Sequence, residues 1–453
     1  MLRQAGMPVL LMESILIKGG TLLTMDAHDA IHGGDLLIED GRISRLGESG
    51  MTADVVIDAT DCAVLPGFVQ THIHLCQTLF RGAADDLSLL DWLKKRVWPM
   101  EAAHTAESIR ASAQLGVAEL IKGGTTCALT METVSHTEEV FKVVEETGFR
   151  ATVGKCMMDR GDDVPAGLHE ETDESIAVSI ELLERWHGSD NGRIRYCFAP
   201  RFALSCTGDL LTRVGQLARE RGIMVHTHAS ENRDECQLVE RDSGLRNIAY
   251  LDSLGLTGRH VMLAHCVHLD EQELEILSKT QTNVAHCPSS NLKLGSGIAP
   301  VATMLGRGIS VSLGADGAAC NNRLDMFTEM RTMALLQKAL YGPEAIPAAR
   351  ALRIATIDGA KAVGLEKEIG SLEIGKRADV IVVALNRAHL IPRARQLASM
   401  LVYSAEANDV RDVVSDGSVV MREWKLVSAN EEGILADAIV QRKELMMRAG
   451  IEE

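Results

Sequence analysis

The chain is poor in aromatic residues and has no excess of positive charge. Only 3% of its 453 residues are Phe, Trp or Tyr, and its formal net charge is −17 at pH 7. An acidic surface repels the phosphates of nucleic acids and the anionic headgroups of membranes. We therefore expect no nucleic acid and no membrane as a partner. The shortage of aromatic side chains also argues against a surface that stacks RNA bases.

The sequence also lacks paired cysteines and long apolar runs. Its 10 cysteines are scattered singly without a Cys-x-x-Cys motif, so we expect reduced thiols and a cytoplasmic location. No run approaches the roughly 20 apolar residues of a transmembrane helix. The apolar segment 7–12 is too short for the hydrophobic part of a signal peptide. Because Met7 and Met12 can each start a chain, the residues before them need not belong to the native protein.

Short strand patterns occupy both ends of the chain. They predict a strand over 15–20 that ends in a Gly-Gly turn, strands over 55–58 and 378–383, and hairpins over 35–43 and 410–420. We expect residues 1–64 and 366–430 to build one small β-sandwich domain together. Residues 431–453 are expected to form a C-terminal helix.

The middle of the chain, residues 65–365, alternates helical and strand patterns. Apolar residues recur with helical spacing over 106–121, 174–186, 210–221 and 271–278. Strands are predicted at 63–69, 125–129, 151–158, 194–198, 223–228, 261–265, 282–286 and 309–313. Eight β/α repeats of this length favour a (β/α)8 TIM barrel in an α/β protein, and a doubly wound sheet stays the alternative.

Two histidines at the end of the first barrel strand give the first indication of chemistry. His72 and His74 lie two residues apart, so their side chains point to the same face of a strand. Two convergent imidazoles suit a divalent metal. The pair alone is weak evidence, because a second His-x-His occurs at His226 and His228 and one such pair is expected by chance among 15 histidines.

The ends of other predicted strands supply partners for this pair. His228 ends strand five and is followed by Glu231, His265 ends strand six, and Asp316 follows strand eight. Active sites of TIM barrels lie at the carboxyl ends of the strands, so we expect these side chains in one mouth. Three neutral imidazoles and a carboxylate leave a divalent metal with an open position for water, whose pKa the metal lowers.

The residue types suggest catalytic roles. Asp316 can ligate the metal and accept a proton from the water. Glu231 can carry protons to a ring nitrogen and to a leaving group. His265 can ligate the metal or hydrogen-bond the oxygen derived from water. We therefore predict a metal-dependent hydrolase in which Glu231, His265 and Asp316 are catalytic.

Several motifs resemble the amidohydrolase superfamily. They are residues 66–74, 228–231, 265–266, 314–317 and 369–379, and the resemblance runs from about residue 15 to residue 425. Segments 79–93, 286–294 and 316–322 are similar to the deaminases of S-adenosylhomocysteine, methylthioadenosine and 5′-deoxyadenosine. The resemblance implies a TIM barrel with a small β domain that hydrolyses an amino-substituted N-heterocycle.

The resemblance also implies a ligand set and an assembly. The metal ligands would be His72, His74, His228 and Asp316. One metal is expected, because strand four lacks the lysine that bridges two metals in binuclear members; zinc is favoured and iron also fits. His265 would lie beside the bound water, and Glu231 would be the proton shuttle. A homo-oligomer, either a dimer or a tetramer, is the expected assembly.

The substrate-side residues point in two directions. Arg201 and Gln77 look like residues of guanine deaminases that hydrogen-bond the purine, whereas Glu101 matches a glutamate that contacts ribose in the adenosine-type branch. Trp92 is a candidate substrate contact or a core anchor. Simpler interpretations exist: Arg201 paired with an acidic loop, Gln77 as a helix cap, and Glu101 favoured by the dipole in the first turn of a helix.

The favoured function is hydrolytic deamination of a small heterocycle, an adenosine-type compound altered at its 5′ position, with water as the second substrate. Guanine and an s-triazine with an amine or chloride leaving group are the alternatives. Glu231 favours the amine, because a poor leaving group needs protonation. A non-catalytic barrel scaffold is the alternative from another class. Whether Lys155 and His286 enter the pocket stays open at this point.

Overall fold

The computed structural model describes residues 13–47 and 50–452, and the apolar segment 7–12 lies outside the described residues. The strands are β1 (Ile15–Leu23), β2 (Ile31–Glu39), β3 (Arg42–Leu46), β4 (Val55–Asp58), β5 (Cys62–Pro66), β6 (Phe68–Ile73), β7 (Thr125–Met131), β8 (Arg150–Met157), β9 (Ile194–Pro200), β10 (Met224–Ala229), β11 (Val261–His265), β12 (Asn283–His286), β13 (Ser310–Leu313), β14 (Val380–Ala384), β15 (Val410–Ser415), β16 (Ser418–Arg422) and β17 (Lys425–Leu426).

The helices alternate with the strands in the middle of the chain. They are α1 (Leu89–Trp92), α2 (Trp98–Ala102), α3 (Ala106–Lys122), α4 (Thr137–Thr147), α5 (Thr172–Trp186), α6 (Ser189–Gly192), α7 (Gly208–Arg221), α8 (Arg233–Ser243), α9 (Asn247–Ser253), α10 (Glu271–Thr280), α11 (Pro288–Lys293), α12 (Val301–Gly306), α13 (Met326–Tyr341), α14 (Ala348–Ala355), α15 (Ile357–Ala362), α16 (Leu397–Tyr403) and α17 (Glu431–Ala449). Among the described residues, no helix combines the length and the apolar composition that crossing a membrane requires.

The eight strands β6 to β13 form one parallel sheet in sequential order. The first and last strands meet side by side, where Thr71 Oγ1 lies 2.7 Å from Ser312 Oγ and donates to the carbonyl of Leu313 at 3.1 Å. A doubly wound sheet reverses its strand order partway. The sequential order therefore confirms the TIM barrel and rules out the doubly wound alternative.

The remaining strands form a second, mixed sheet from both ends of the chain. Its order is β17-β16-β15-β14-β5-β1-β2-β3, with β4 also paired to β1. Apolar side chains from both ends share one core, as Ile17 and Leu36 do with Val382 and Val414. This arrangement confirms the prediction of one small β domain built from both termini. The division of the chain at residues 64, 365 and 430 stays a prediction.

Two predictions about strands near the N-terminus were wrong. The predicted turn at Gly19 and Gly20 is a β-bulge inside β1, which continues to Leu23. Glycine is favoured there because the φ of Gly19 is +75° and a Cβ on Gly20 would lie 2.6 Å from Val64 Cγ2.

The predicted strand over 63–69 is two strands that belong to different sheets. β5 pairs with β14 in the small domain, whereas β6 pairs with β7 in the barrel. Gly67 separates them, and a Cβ at this position would lie 2.1 Å from Thr126 Oγ1. The close approach of β7 to the chain therefore requires glycine at the point where it crosses from one sheet to the other.

Candidate metal centre and active site

The structure brings the five predicted strand-end residues together. The Nε2 atoms of His72 and His74 lie 3.3 and 3.2 Å from Asp316 Oδ1. His228 Nε2 lies 3.3 Å from His74 Nε2, and His265 Nε2 lies 3.8 Å from Asp316 Oδ2. All five residues therefore face one point at the carboxyl end of the barrel, as predicted.

Unusual backbone conformations direct two of these side chains. His265 has a φ of +75° and Asp316 a φ of +65°, values that non-glycine residues seldom adopt. Each lies at or just after the end of its strand. Strained backbone of this kind clusters at functional sites, because the surrounding fold must hold it.

Each imidazole is fixed through its second ring nitrogen. The Nδ1 of His74 donates to the carbonyl of Met131 at 2.7 Å, and the Nδ1 of His228 donates to the carbonyl of Arg201 at 2.7 Å. Such bonds set the tautomer and leave Nε2 free to bind a metal. The bonds therefore direct the Nε2 atoms of His74 and His228 toward Asp316, where a metal could bind them.

The other two imidazoles are held by residues that the sequence prediction missed. His72 Nδ1 lies 2.8 Å from His226 Nε2, and His265 Nδ1 lies 2.8 Å from Asn291 Oδ1. The second His-x-His pair was a signal for His226, since a strand places alternate side chains on one face. Asn291 lies in a segment that carried the family resemblance, but its role was not predicted.

The donor set fits a divalent metal ion. The buried Nε2 atoms of His72 and His265 have no hydrogen-bond partner among the described residues. Burial lowers the pKa of His72 to about 4 and lowers that of His228 well below its usual value, so both imidazoles are neutral. Burial alone would raise the pKa of Asp316, but the imidazoles of His72 and His74 outweigh it and hold this pKa well below its usual range. Neutral imidazoles with an ionised carboxylate are the ligands that zinc and similar metals bind.

Glu231 lies beside this cluster, and one of its carboxylate oxygens makes no hydrogen bond within the described residues. Its Oε2 is 3.5 Å from His265 Nε2, and its buried Oε1 has no hydrogen-bond partner among the described residues. Burial, followed by the nearby charge of Asp316, raises the pKa of Glu231 well above its usual value. Its backbone is fixed, because its N–H donates to Glu235 Oε2 at 2.8 Å. A carboxyl in this setting can hold and pass on a proton.

A pocket opens beside Glu231 and the metal cluster. It is lined by His74, Gln77, Leu89, Trp92, Leu93, Arg201, Phe202, His228, Glu231, Glu235, His265, Leu294 and Asp316. The indole nitrogen of Trp92 is buried without a hydrogen-bond partner among the described residues. Three of the predicted substrate contacts, Gln77, Trp92 and Arg201, thus lie in the wall of one pocket with the metal cluster.

Glu101 lies behind this wall and holds two of its members. Arg201 Nη1 donates to Glu101 Oε2 at 2.6 Å, and Gln77 Nε2 donates to Glu101 Oε1 at 2.9 Å. A carboxylate only accepts hydrogen bonds, so it fixes the amide nitrogen of Gln77 toward itself. The amide oxygen of Gln77 is buried close against Gly317 and has no hydrogen-bond partner within residues 13–47 and 50–452. On this side of the pocket, the wall therefore presents the amide oxygen of Gln77 as an acceptor beside the guanidinium of Arg201.

The structure also shows whether Lys155 and His286 enter the pocket, which the sequence left open. Lys155 Nζ donates to Glu170 Oε2 at 2.6 Å and to the carbonyl of Cys156 at 3.0 Å, away from the pocket lining. His286 is buried outside the lining, and burial lowers its pKa to about 3. Neither residue therefore lines the pocket beside the metal cluster.

Comparisons with known proteins agree with this geometry. A family described as the amidohydrolase family matches residues 63–420, which include all five converging residues. The chain is 39% identical to a 5′-deoxyadenosine deaminase of Methanosarcina acetivorans, over 97% of the chain and 100% of that protein. It is 40% identical to a 5-methylthioadenosine/S-adenosylhomocysteine deaminase of Desulforamulus reducens, over 94% of the chain and 97% of that protein. An adenosine deaminase from Xanthomonas campestris, solved with bound zinc, matches with a TM-score of 0.90 and 32% identity, covering 96% and 98% of the two chains.

Proposed function

This chain belongs to the amidohydrolase family, and we propose that it deaminates adenosine-type nucleosides altered at the 5′ position. The predicted enzyme class, a hydrolase of C–N bonds, is confirmed by relatives about 40% identical over nearly the whole chain that are named deaminases. The observation that carries the proposal is Glu231, a buried carboxyl beside His265, where an amine leaving group needs a proton.

We propose that His72, His74, His228 and Asp316 hold one divalent metal, and that the metal is zinc. The neutral imidazoles and the orphaned Nε2 of His72 support this assignment, and a similar structure contains zinc. When bound, the metal would act as a Lewis acid and lower the pKa of a water molecule toward neutrality. Strand β9 ends in Pro200 without a lysine, which supports one metal rather than two.

Glu231 and Asp316 carry the proton transfers in this proposal, and His265 positions the attacking water. His265 Nδ1 is bound to Asn291, so its Nε2 can accept a hydrogen bond from the attacking water. Glu231, protonated because of its burial, donates to the ring nitrogen next to the carbon that bears the amine. The resulting carboxylate takes a proton from the new hydroxyl group and passes it to the amine. The C–N bond breaks, ammonia leaves, and the carbon keeps the oxygen as a carbonyl. The first proton of the attacking water, which Asp316 accepts as the water adds to the carbon, then returns to Glu231 and restores the site.

The proposal is tested by product analysis with the purified protein. Incubation with 5′-deoxyadenosine, methylthioadenosine or S-adenosylhomocysteine should release one ammonia per substrate consumed. The remaining product should carry oxygen in place of the amine, as measured by mass spectrometry. Ammonia from none of these nucleosides would overturn the adenosine-type assignment.

A second candidate substrate is an oxopurine such as guanine. Gln77 Oε1 is a fixed acceptor and Arg201 a donor, and an N–H beside a carbonyl on the ring complements this pair. In 5′-deoxyadenosine, only a ribose hydroxyl or the reacting amine can donate to Gln77. If kcat/KM is higher for guanine than for 5′-deoxyadenosine, the substrate is an oxopurine. If it is higher for 5′-deoxyadenosine, the substrate is the nucleoside.

The homo-oligomeric state of the protein stays a prediction.

A further inference from the structure

A cavity of about 560 Å³ lies at the end of the barrel where the strands begin. Its lining includes Arg195, Met224, Asn283 and Ser310, which stand at the first or second positions of β9, β10, β12 and β13. The metal cluster is built at the opposite ends of the strands. This cavity is therefore separate from the active site, and the proposed deaminase function does not use it.

The lining of this cavity carries an excess of positive charge. Four cations, from Arg195, Arg259, Arg350 and Lys361, face two carboxylates. One of these carboxylates, that of Asp358, is already paired with Arg350 at 2.5 Å. The excess is notable in a chain whose net charge is −17, since a random patch of this surface would be acidic.

Two polar groups in the cavity have no partner. Among the residues that the structure describes, the side chain of Arg195 makes neither a hydrogen bond nor an ion pair, although it is only partly exposed, and burial lowers its pKa. The Nε2 of His260 is also buried, and it has no hydrogen-bond partner among those described residues. A cation that is partly shielded from water and has no protein partner costs free energy, so a fold that keeps one in a cavity points to a counter-ion.

We propose that this cavity binds a phosphate-bearing anion, with Arg195 and Arg259 as its cationic ligands. A guanidinium matches the oxygens of a phosphate with two parallel N–H groups, which makes arginine well suited to phosphate. Arg259 is available, because within the described part of the chain its side chain makes a single hydrogen bond, of 3.4 Å to Gln281 on the surface, and no ion pair. The cavity is much larger than a single phosphate ion, so a phosphate ester of a small metabolite also fits.

The proposal is tested by thermal unfolding and calorimetry of the full-length protein. Inorganic phosphate, pyrophosphate and ribose 5-phosphate, none of which carries a purine that the active site could bind, are compared with sodium chloride at equal ionic strength. At least one phosphate compound should raise the Tm in a saturable way. The compound that binds with the highest affinity shows whether the natural ligand is a free phosphate or a phosphate ester. Absence of saturable binding by all three would overturn the proposal.

Substitution separates a binding role of Arg195 from a structural one. Arg195→Met should weaken phosphate binding by about tenfold, the loss expected for one charge-assisted hydrogen bond. Its Tm without phosphate should equal or exceed that of the wild type, because an unpaired charge is removed. A lower Tm together with unchanged phosphate affinity would show a structural role and contradict the assignment.

A second variant and a control keep the test decisive. Arg259 lies on an exposed loop, and Arg259→Met should also weaken phosphate binding. This variant tests the proposed site if Arg195→Met does not fold. Arg213→Met is the matched control, because Arg213 lies on α7 paired with Asp173 and Asp209. It should bind phosphate as the wild type does. Equal weakening by the control would mean nonspecific electrostatics and overturn the site.

Discussion

The guanidinium of Arg201 lies 2.6 Å from the carboxylate of Glu101, and both side chains are almost fully buried. The pair joins α2 to the residue that follows β9, two segments separated by 100 residues of sequence. Glu101 also orients Gln77, so one carboxylate behind the pocket sets the polarity of two residues in its wall.

Replacing this carboxylate should harm both stability and substrate binding. Glu101→Gln leaves the buried guanidinium of Arg201 without a counter-ion, and we expect the free energy of unfolding to fall by about 3 kcal/mol. KM should rise more than kcat falls, because Glu101 acts through Gln77 and Arg201. Denaturant unfolding and steady-state kinetics check this. Glu240→Gln, at an exposed site on α8, is the control and should change stability by less than about 0.5 kcal/mol.

Removing one metal ligand should remove the metal. His228→Ala is expected to lower the bound metal per chain, measured by elemental analysis, and to abolish ammonia release. His286→Ala is the matched control, since His286 is a buried histidine at a strand end outside the pocket. The control should keep its metal even where it loses stability. Full metal content in His228→Ala would contradict the ligand assignment.

Glu231 should matter for the leaving group rather than for the metal. We expect Glu231→Gln to keep its metal and to lose kcat by about 10²–10⁴-fold on amine substrates, since a glutamine cannot transfer the proton. A 6-chloro analogue of the nucleoside should lose less, because its ring nitrogen still needs the proton from Glu231 but its leaving group does not. Equal losses on the amine and the chloro compound would argue against proton transfer from Glu231 to the amine.

A buried carboxyl on α13 should make stability depend on pH. Burial raises the pKa of Glu329 from 4.5 to about 7, even though Ser289 and Asn321 donate hydrogen bonds to it. Between these two pH values the folded state binds the proton and the unfolded state does not. The free energy of unfolding should therefore fall as pH rises, by about 1.4 kcal/mol per pH unit and about 3 kcal/mol in all.

The variant Glu329→Gln isolates this contribution. The difference in unfolding free energy between wild type and variant should shrink by that amount from pH 4.5 to pH 7, as measured by urea unfolding at a series of pH values. A difference that is the same at both ends would show that Glu329 is ionised in the folded protein.

The metal cluster was predictable because parallel strands of a barrel end at one mouth. Five chemically distinctive residues at four strand ends sufficed to place them together. The second His-x-His pair was a signal for His226, but its contact with His72 and that of Asn291 with His265 were not predictable. A sequence shows which residues end a strand but not which ring nitrogen they face. The pairing of Glu101 with Arg201 escaped for a similar reason, since each also suits a direct contact with substrate.

The strand boundaries failed where local pattern and tertiary contact disagree. Residues 63–69 are apolar throughout, so nothing in their periodicity reveals that Gly67 divides two sheets. The bulge at Gly19 and Gly20 has the same origin, because a glycine pair suits a turn and a bulge equally.

The most direct test combines metal with turnover. Metal-free protein is titrated with zinc while ammonia release from 5′-deoxyadenosine is measured. We expect no release without metal, a rate that rises in proportion to added zinc, and a plateau at one zinc per chain. Equal ammonia release by the metal-free protein, or no release at one zinc per chain, would contradict a single-metal deaminase built on His72, His74, His228 and Asp316.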